Sequence, residues 1–228
     1  MEAMRFSDPL DCAACPRLAA HLSGLRARDP NWHNRPVPSF GELSARFLIV
    51  GLAPGERGAN RTGRPFSGDV AGELLYPALH RFGFAAVPAP LDDKGQAHPK
   101  QRLLDARISN AVRCLPPGNK PLPIEIHACN IWLRQEIAAM PNLAAILVLG
   151  AIAHQAVLRA FSLKRAEYPF GHACRYNLPP PFPALFTSYH CSGYNWRTGR
   201  LSKESFENVF ADVSDFLREC SAGIHDGR

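Results

Sequence analysis

The stretch from Arg46 to Asp69, RFLIVGLAPGERGANRTGRPFSGD, decides the fold of this chain. It opens with a short apolar run, Phe47 to Val50, which is typical of a buried strand in a parallel sheet. Three glycines follow between residues 51 and 58, and they predict a tight loop whose main-chain N–H groups can approach a ligand closely. A helical pattern starts near Val70. Strand, glycine loop and helix in this order predict a site at the carboxyl end of an α/β strand.

Two well-known glycine loops do not fit this stretch. The dinucleotide fingerprint G-x-G-x-x-G is excluded because Ala53 stands where its second glycine would be. Gly58 to Gly63 has the glycine spacing of a phosphate loop, but Arg64 and Pro65 replace its lysine and its hydroxyl residue. An enzyme acting on nucleotide phosphates through this loop is therefore disfavoured.

The composition predicts a globular protein with an anionic partner. The chain has 228 residues, 46% of them hydrophobic, which is enough for one domain over residues 1–228. Its formal net charge of +6 favours nucleic acid as the partner, and a solvated basic surface is the alternative. We find no apolar run of about 18 residues and no secretory signal, so we expect a cytoplasmic protein without membrane contact.

The remaining strands and helices alternate along the chain. This order predicts the α/β class, as a three-layer α/β/α sandwich around a four-stranded, mainly parallel sheet. Residues 162–182 read as a loop. Further strands are expected at 107–112, 143–149 and 184–188, and helices at 70–82, 151–161 and 202–218.

Four of the seven cysteines form two pairs. Cys12 and Cys15 are spaced C-x-x-C, and we expect them on a helical turn that Asp8 caps. Cys114 and Cys129 bracket a proline-rich loop. Four such thiols suit either an iron–sulfur cluster or zinc, and four unconnected buried cysteines are the alternative.

Three motifs resemble those of the type b (family 5) uracil-DNA glycosylases. They are GLAPGERGANRTGRPFSGD, ISNAVRC followed by PPGNKPLP, and a late H-x-S-x-x-N-x-R-T-G-R-L, and the likeness runs from about residue 8 to residue 218. The resemblance implies that Cys12, Cys15, Cys114 and Cys129 hold a [4Fe–4S] cluster. We interpret that cluster as a structural staple beside a DNA-binding surface.

The late motif departs from the family at two positions. The usual H-P-S-P reads HCSG here, so Cys191 and Gly193 replace two prolines. Because proline fixes the backbone, we expect a less rigid loop after His190. The departure bears on substrate range and rate rather than on the class of reaction.

Two residues are assigned to catalysis on this resemblance. Asp69 is the candidate carboxylate that places water or supports a cationic sugar, and capping the helix after it is the alternative or additional role. His190, at the end of a strand, can donate a hydrogen bond to the departing base as a neutral imidazole.

A second group is assigned to the base. Asn110 can donate and accept hydrogen bonds at once, which suits the Watson–Crick edge of uracil, although it could merely close a strand. Phe66 can stack on the extracted base, with a core aromatic as the competing interpretation. The predicted substrate-binding residues are Gly51, Ala53, Gly55, Asn60, Phe66 and Asn110.

The polar residues around these motifs are assigned to DNA. Asn60 and Arg61 are expected to reach phosphates or sugar, and the loop from Tyr194 to Arg197 offers wedges for the gap left by a flipped base. A solvated loop is the alternative. The predicted DNA-binding residues are Arg61, Arg64, Tyr194, Asn195, Trp196, Arg197 and Arg200.

The resemblance implies a monofunctional glycosylase that excises uracil and other deaminated bases, such as hypoxanthine and xanthine, from DNA. Neither the glycine-loop motif nor the late motif contains a lysine that could form an imine, so we expect an abasic product and no strand cleavage. We expect a monomer whose partner is DNA containing a deaminated base. A non-catalytic iron–sulfur protein that binds nucleic acid is the alternative.

Overall fold

A five-stranded sheet forms the centre of the computed structural model, which describes residues 6–222. The strand order is β2-β1-β3-β5-β4, and every pairing is parallel except the one between β4 and β5. The strands are β1 (Phe47–Gly51), β2 (Ala106–Asn110), β3 (Ala145–Leu149), β4 (Cys174–Tyr176) and β5 (Ala184–Ser188).

Helices cover both faces of the sheet, which confirms the α/β class. They are α1 (Pro16–Arg28), α2 (Ala59–Thr62), α3 (Val70–Arg81), α4 (Pro123–Ala138), α5 (Ala151–Ala160), α6 (Gly193–Arg197) and α7 (Lys203–Ala222), with 3₁₀ turns at Pro117–Asn119 and Arg165–Glu167. None of the helices within residues 6–222 is long and apolar enough to cross a membrane.

The sheet has one strand more than the sequence predicted. The expected loop over residues 162–182 contains β4, which pairs antiparallel with β5 at the edge of the sheet. Its three residues are half-buried or exposed, unlike the fully buried β1 and β5. A strand this short shows neither an apolar run nor a clear alternation, so its sequence pattern is weak.

Alternate residues of the central strands feed two separate cores. Phe47 and Ile49 of β1 pack on the side of α3 and α7, with Phe210 among their neighbours. Leu48 and Val50 pack on the opposite side, with α4 and α5. Burial on both faces explains why the parallel strands are continuously apolar.

The amino-terminal helix begins later than expected. Helix α1 starts at Pro16 with Cys15 at its N-cap, so Cys12 and Cys15 precede the helix rather than lie on a helical turn. The carboxylate of Asp8, expected to cap that helix, instead accepts the main-chain N–H of Ser39 at 2.9 Å and lies 3.3 Å from Arg113. These partners are distant in sequence and therefore invisible to a local pattern.

A buried ion-pair network joins β2 to α4. Glu136 is fully buried, and its two oxygens accept hydrogen bonds at 2.6 Å from Arg107 and Arg113 and at 2.7 Å from Ser109. Burial opposes the charge of Glu136, but the two guanidinium groups hold its pKa below the usual value. The network fixes the strand that carries Asn110.

Candidate active site

The predicted site residues meet at the carboxyl edge of the sheet. Gly51 and Asn110 are the last residues of β1 and β2 and are directly paired in register. Gly150 follows β3, and His190 lies two residues beyond β5. Parallel strands place their carboxyl ends at one edge, so residues far apart in the chain come together there.

A cavity of about 600 Å³ opens at this edge. Its wall includes four of the residues predicted for catalysis or substrate binding, Ala53, Gly55, Asp69 and His190. The loop after β1 and the starts of α3, α5 and α6 supply most of the lining. The other lining residues are Leu52, Val70, Ala71, Asn119, Leu149, Gly150, Ala151, Ile152, Ala153, Ser192, Gly193, Tyr194 and Arg197.

Asp69 serves two structural purposes at the cavity wall. It is the N-cap of α3, and its Oδ1 accepts the main-chain N–H of Gly72 at 3.1 Å. Its Oδ2 lies against the glycine loop, so close that a Cβ added to Gly55 would be 2.9 Å from that oxygen. Burial raises the pKa of the Asp69 carboxyl, while N–H groups of the first helical turn oppose that rise. Thus one oxygen caps the helix while the other faces the loop.

His190 stands in the cavity wall as a neutral imidazole. Burial lowers its pKa to about 4, so the ring is uncharged at neutral pH. Its Nδ1 is buried without a hydrogen-bond partner among the described residues. The rings of His190 and Phe66 are stacked, with their centroids 5.9 Å apart and their planes at 24°. The ring is therefore oriented by stacking, and its buried nitrogen is left unsatisfied.

Gly51, Phe66 and Asn110 form a compact group behind His190. A Cβ on Gly51 would lie 2.5 Å from Asn110 Oδ1 and 2.6 Å from Phe66 Cζ, so only glycine fits between them. Asn110 is 4% exposed, and its Oδ1 has no partner among residues 6–222. A buried amide oxygen of this kind can accept a donor from a ligand.

The loop after His190 is held by side chains of the late motif. Asn195 Nδ2 donates to the main-chain oxygen of His190 at 2.8 Å. Cys191 is fully buried, and its Sγ lies 3.5 Å from the carbonyl oxygen of Ala71 in the first turn of α3. Asn195, predicted to bind DNA, is thus committed to the backbone that carries the histidine.

Asn60 and Arg64, both predicted to bind ligand, make their contacts inside the protein and do not line the cavity. Asn60 is fully buried, and its Nδ2 donates to Asn34 Oδ1 at 2.7 Å, so it supports the glycine loop from inside. Arg64 donates to the carbonyl of Pro90 at 2.9 Å, and its guanidinium lies 4.6 Å from the centre of the Phe40 ring. Both side chains are engaged within the protein, and their ligand-binding roles stay predictions.

The predicted wedge residues lie on α6 at the mouth of the cavity. Tyr194 is 67% exposed and Trp196 is 37% exposed, and Val70 beside them is 40% exposed. Arg197 lines the cavity, whereas the guanidinium of Arg200 lies 4.3 Å from the centre of the Tyr189 ring. Exposed aromatic and aliphatic side chains at the rim of the cavity are compatible with the wedge prediction.

Asn119 is a cavity residue to which the sequence reasoning gave no role. It belongs to the 3₁₀ turn after the proline pair and has a φ of +57°, a left-handed conformation that asparagine tolerates. The segment PPGNKPLP was recognised as part of a motif. Within that segment, the amide side chain of Asn119, between a glycine and a lysine, is the feature that could indicate a contact with substrate or water.

The four predicted cluster ligands line one pocket. Cys12, Cys15, Cys114 and Cys129 surround it together with apolar side chains such as Leu18. Burial first, and then the nearby thiols, raise the pKa of Cys114 to about 12. The main-chain N–H of Arg113 donates to Cys129 Sγ at 3.4 Å.

The thiol pocket fits a thiolate-bound group by its chemistry. Four sulfurs around one pocket, with a main-chain donor to one of them, form the donor set that an iron–sulfur cluster requires. Within residues 6–222, no group of three or more His, Cys, Asp or Glu side chains is arranged to hold a metal ion. The metal-binding prediction therefore stays a prediction.

Comparison with known proteins gives the family. The model of the uracil DNA glycosylase superfamily matches residues 38–214. The chain belongs to the uracil-DNA glycosylase superfamily. It is 43% identical over 210 residues to a type-5 uracil-DNA glycosylase of Thermus thermophilus, covering 89% of this chain and 92% of that protein. A type-5 uracil-DNA glycosylase of Pyrobaculum aerophilum is 36% identical over 88% of this chain and 86% of its own length.

The match confirms the predicted type b (family 5) membership within the superfamily. A type-4 uracil-DNA glycosylase of Pyrobaculum aerophilum is 34% identical over a shorter part, 60% of this chain and 59% of that protein. The superfamily match spans the glycine loop, the Asn110 strand and the His190 loop.

Proposed function

We propose that this protein is a monofunctional DNA glycosylase that flips a uracil out of DNA and hydrolyses its glycosidic bond. The observation that carries the proposal is the convergence of Asp69 and His190 on one cavity beside the buried, unpartnered oxygen of Asn110. A glycosylase needs a base-reading group, a stabiliser of the departing base and a carboxylate near the sugar, and these residues supply one each.

Asn110 reads the base in this scheme. Its Oδ1 accepts the N3–H of uracil, and its amide can donate to a carbonyl of the same base. The Phe66 ring, directly beside it across Gly51, offers an apolar surface for stacking. A buried acceptor with no internal partner gains a hydrogen bond only when the base enters, which favours the bound state.

His190 stabilises the departing base. The neutral ring donates a hydrogen bond to the uracil oxygen on which negative charge develops, and its low pKa keeps it from being protonated in advance. The hydrogen bond from Asn195 holds the backbone that carries the ring. Asn195 therefore acts as a positioning residue.

Asp69 supports the sugar and the attacking water. The oxygen that faces the glycine loop lies beside main-chain groups that can fix a water, and its negative charge favours the cationic sugar that forms as the bond breaks. Asn119, in the same cavity wall, offers a second polar side chain to that water. No lysine is among the lining residues of this cavity, which supports hydrolysis without an imine intermediate.

A broad base range follows from the size and lining of the cavity. The small residues Ala53, Gly55 and Gly193 leave about 600 Å³ at the site, which accommodates a purine as well as a pyrimidine. We therefore extend the proposal to hypoxanthine and xanthine. The exposed rings of Tyr194 and Trp196 at the rim fill the gap in the duplex.

We further propose that Cys12, Cys15, Cys114 and Cys129 hold a [4Fe–4S] cluster. When bound, the cluster links the segment before α1 to the segment that runs from β2 to α4, and it has a structural role. Purified protein should contain four irons and four acid-labile sulfides per chain. Zinc in place of iron, or neither metal after anaerobic purification, would refute this part of the proposal.

The function is tested on duplexes that each contain one altered base. We expect wild-type protein to release uracil, and to release hypoxanthine and xanthine, leaving strands that break only after alkali treatment. Asp69→Asn serves as the inactive control because asparagine still caps a helix. Tight binding of these duplexes without release of any base would favour the non-catalytic nucleic-acid binding protein instead.

A further inference from the structure

A second, polar cleft lies next to the active cavity on the other side of the Gly68 backbone. It has a volume of about 350 Å³, and we call it the flank cleft. It is lined by Asn31, Trp32, His33, Arg61, Thr62, Gly95, Gln96 and Ala97. None of these residues has a part in the chemistry derived above.

The flank cleft is built by backbone pairing between two segments. The N–H of His33 donates to the carbonyl of Arg61, and the N–H of Asn34 donates to the carbonyl of Asn60, both at 3.0 Å. The buried hydrogen bond between the side chains of Asn60 and Asn34 reinforces this pairing from below. Trp32 and Arg61 are therefore held side by side on a firm base.

Arg61 offers an uncommitted positive charge in the cleft. Its Nε donates to the carbonyl of Arg57 at 3.0 Å, and none of the ion pairs among residues 6–222 includes it. The facing loop carries a carboxylate, Asp92, but that group accepts hydrogen bonds from the main-chain N–H groups of Lys94 and Gln96 and does not pair with Arg61. A guanidinium fixed by a carbonyl and lacking a carboxylate partner suits a phosphate.

The backbone of Gly68 links the flank cleft to the active cavity. A Cβ added to Gly68 would lie 3.1 Å from Arg61 Nη2, and Gly68 directly precedes Asp69. The guanidinium therefore lies against the backbone that leads directly into the proposed catalytic carboxylate. A strand whose phosphate is held by Arg61 can continue past this backbone towards the nucleotide in the cavity.

We infer that the flank cleft binds a nucleotide that neighbours the flipped one, with Arg61 on its phosphate and Trp32 against its base. The inference rests on the proposed function, because it assumes that the cavity at Asp69 receives a nucleotide of DNA. Stacking on an aromatic ring is tolerant of base identity, so this contact adds affinity without sequence preference.

The test couples a change in the protein to a change in the DNA. Two series of duplexes carry a uracil strand that is shortened one nucleotide at a time, from the 5′ end or from the 3′ end. Single-turnover uracil release gives the half-saturating protein concentration and the maximal rate for each duplex. Trp32→Ala is compared with wild type, with Trp32→Phe as the conservative variant and Arg134→Ala, on the exposed face of α4, as the control.

We expect Trp32→Ala to raise the half-saturating concentration about tenfold on the full duplex and to leave the maximal rate unchanged. Removing the neighbouring nucleotide on one side should raise the half-saturating concentration of wild type by a similar factor. The same removal should cause no further rise for Trp32→Ala. Trp32→Phe should restore most of the affinity. The inference would be overturned if the loss of affinity from Trp32→Ala and the loss from shortening the strand were additive in both the 5′ and the 3′ series. The control Arg134→Ala should show such additive behaviour.

Arg61→Gln tests the phosphate contact separately, and this test does not depend on whether Trp32→Ala folds. The slope of log affinity against log salt should fall by about one for the lost phosphate contact. A slope equal to that of wild type would contradict a phosphate at Arg61. Failure of wild type to release uracil from the full duplex would instead contradict the proposed function, so the two failures are distinguishable.

Discussion

Two groups of buried polar side chains flank β2, and they are satisfied in opposite ways. On the α4 side, Glu136 accepts hydrogen bonds from Arg107, Ser109 and Arg113. At the carboxyl edge, Asn110 Oδ1 and His190 Nδ1 are buried without partners among the described residues. Because native interiors satisfy nearly all buried polar groups, unpartnered atoms beside the cavity indicate a ligand site, whereas the fully partnered carboxylate of Glu136 indicates a role in stability.

The largest expected effect separates the two tasks of Asp69. Asp69→Asn should slow uracil release about 10²- to 10⁴-fold, because the carboxylate is lost. Its unfolding temperature should stay near that of wild type, since asparagine also caps helices. Asp69→Ala should show the same rate loss together with about 1 kcal/mol lower stability. Full activity in Asp69→Asn, measured in single turnovers, would leave Asp69 with capping alone.

The partnered group should respond in the reverse way. Glu136→Gln should lower the free energy of unfolding by about 3 kcal/mol, because two buried arginines lose their counter-charge. Below its melting transition the variant should retain the wild-type rate of uracil release per folded molecule. A loss of rate without a loss of stability in denaturant titrations would remove the contrast between the two groups.

A smaller effect is expected at the residue that positions His190. Asn195→Ala removes the hydrogen bond to the His190 carbonyl, a contribution of about 1 kcal/mol, and should lower the maximal rate about fivefold. Half-saturation should change little if Asn195 acts through His190 rather than on DNA. A raised half-saturating concentration with an unchanged maximal rate would restore the original DNA-binding assignment.

His154 on α5 is a third case, because its ring is buried without partners among the described residues but does not line the cavity. It is fully buried, neither ring nitrogen has a partner among the described residues, and burial lowers its pKa to about 4. Between about pH 6.5 and pH 4 the histidine is therefore protonated in the unfolded chain but not in the folded chain. The free energy of unfolding consequently falls as the pH drops through this range. His154→Leu should recover about 2 kcal/mol of unfolding free energy at pH 5 relative to pH 7.

Activity provides the control for that prediction. Uracil release by His154→Leu should match wild type at pH 7, because the ring of this histidine is not among the side chains that line the cavity. A variant that gains no acid stability in unfolding titrations would show that the core accommodates the charged ring. One that also loses activity would place His154 in the functional group.

The parallel core of the fold was accessible from the sequence, and its edge was not. The runs at β1 and β5 are buried on both faces, so their apolar letters are continuous and their bounds were predicted to within a residue. Strand β4 is three residues long and partly exposed, and such a segment carries no periodic signal. The early start expected for α1 failed because Asp8 has partners at Ser39 and Arg113.

The site was predictable where side chains follow strand ends, and less so where long-range packing decides. Asp69 and His190 were placed correctly at the cavity because each directly follows a loop or strand of the sheet edge. Asn60 and Arg64 were assigned to ligands from their position in a motif, yet they pack against Asn34 and Phe40. Those partners lie more than twenty residues away, beyond the reach of local pattern.

The role of the buried Asn110 oxygen is tested most directly by Asn110→Leu, measured for thermal unfolding and for single-turnover uracil release. If the buried oxygen is reserved for the base, an apolar side chain of similar size should leave the unfolding temperature equal or higher, because no internal hydrogen bond is lost. Uracil release should then be at least about 100-fold slower. A clearly lower unfolding temperature with an unchanged rate would contradict the account.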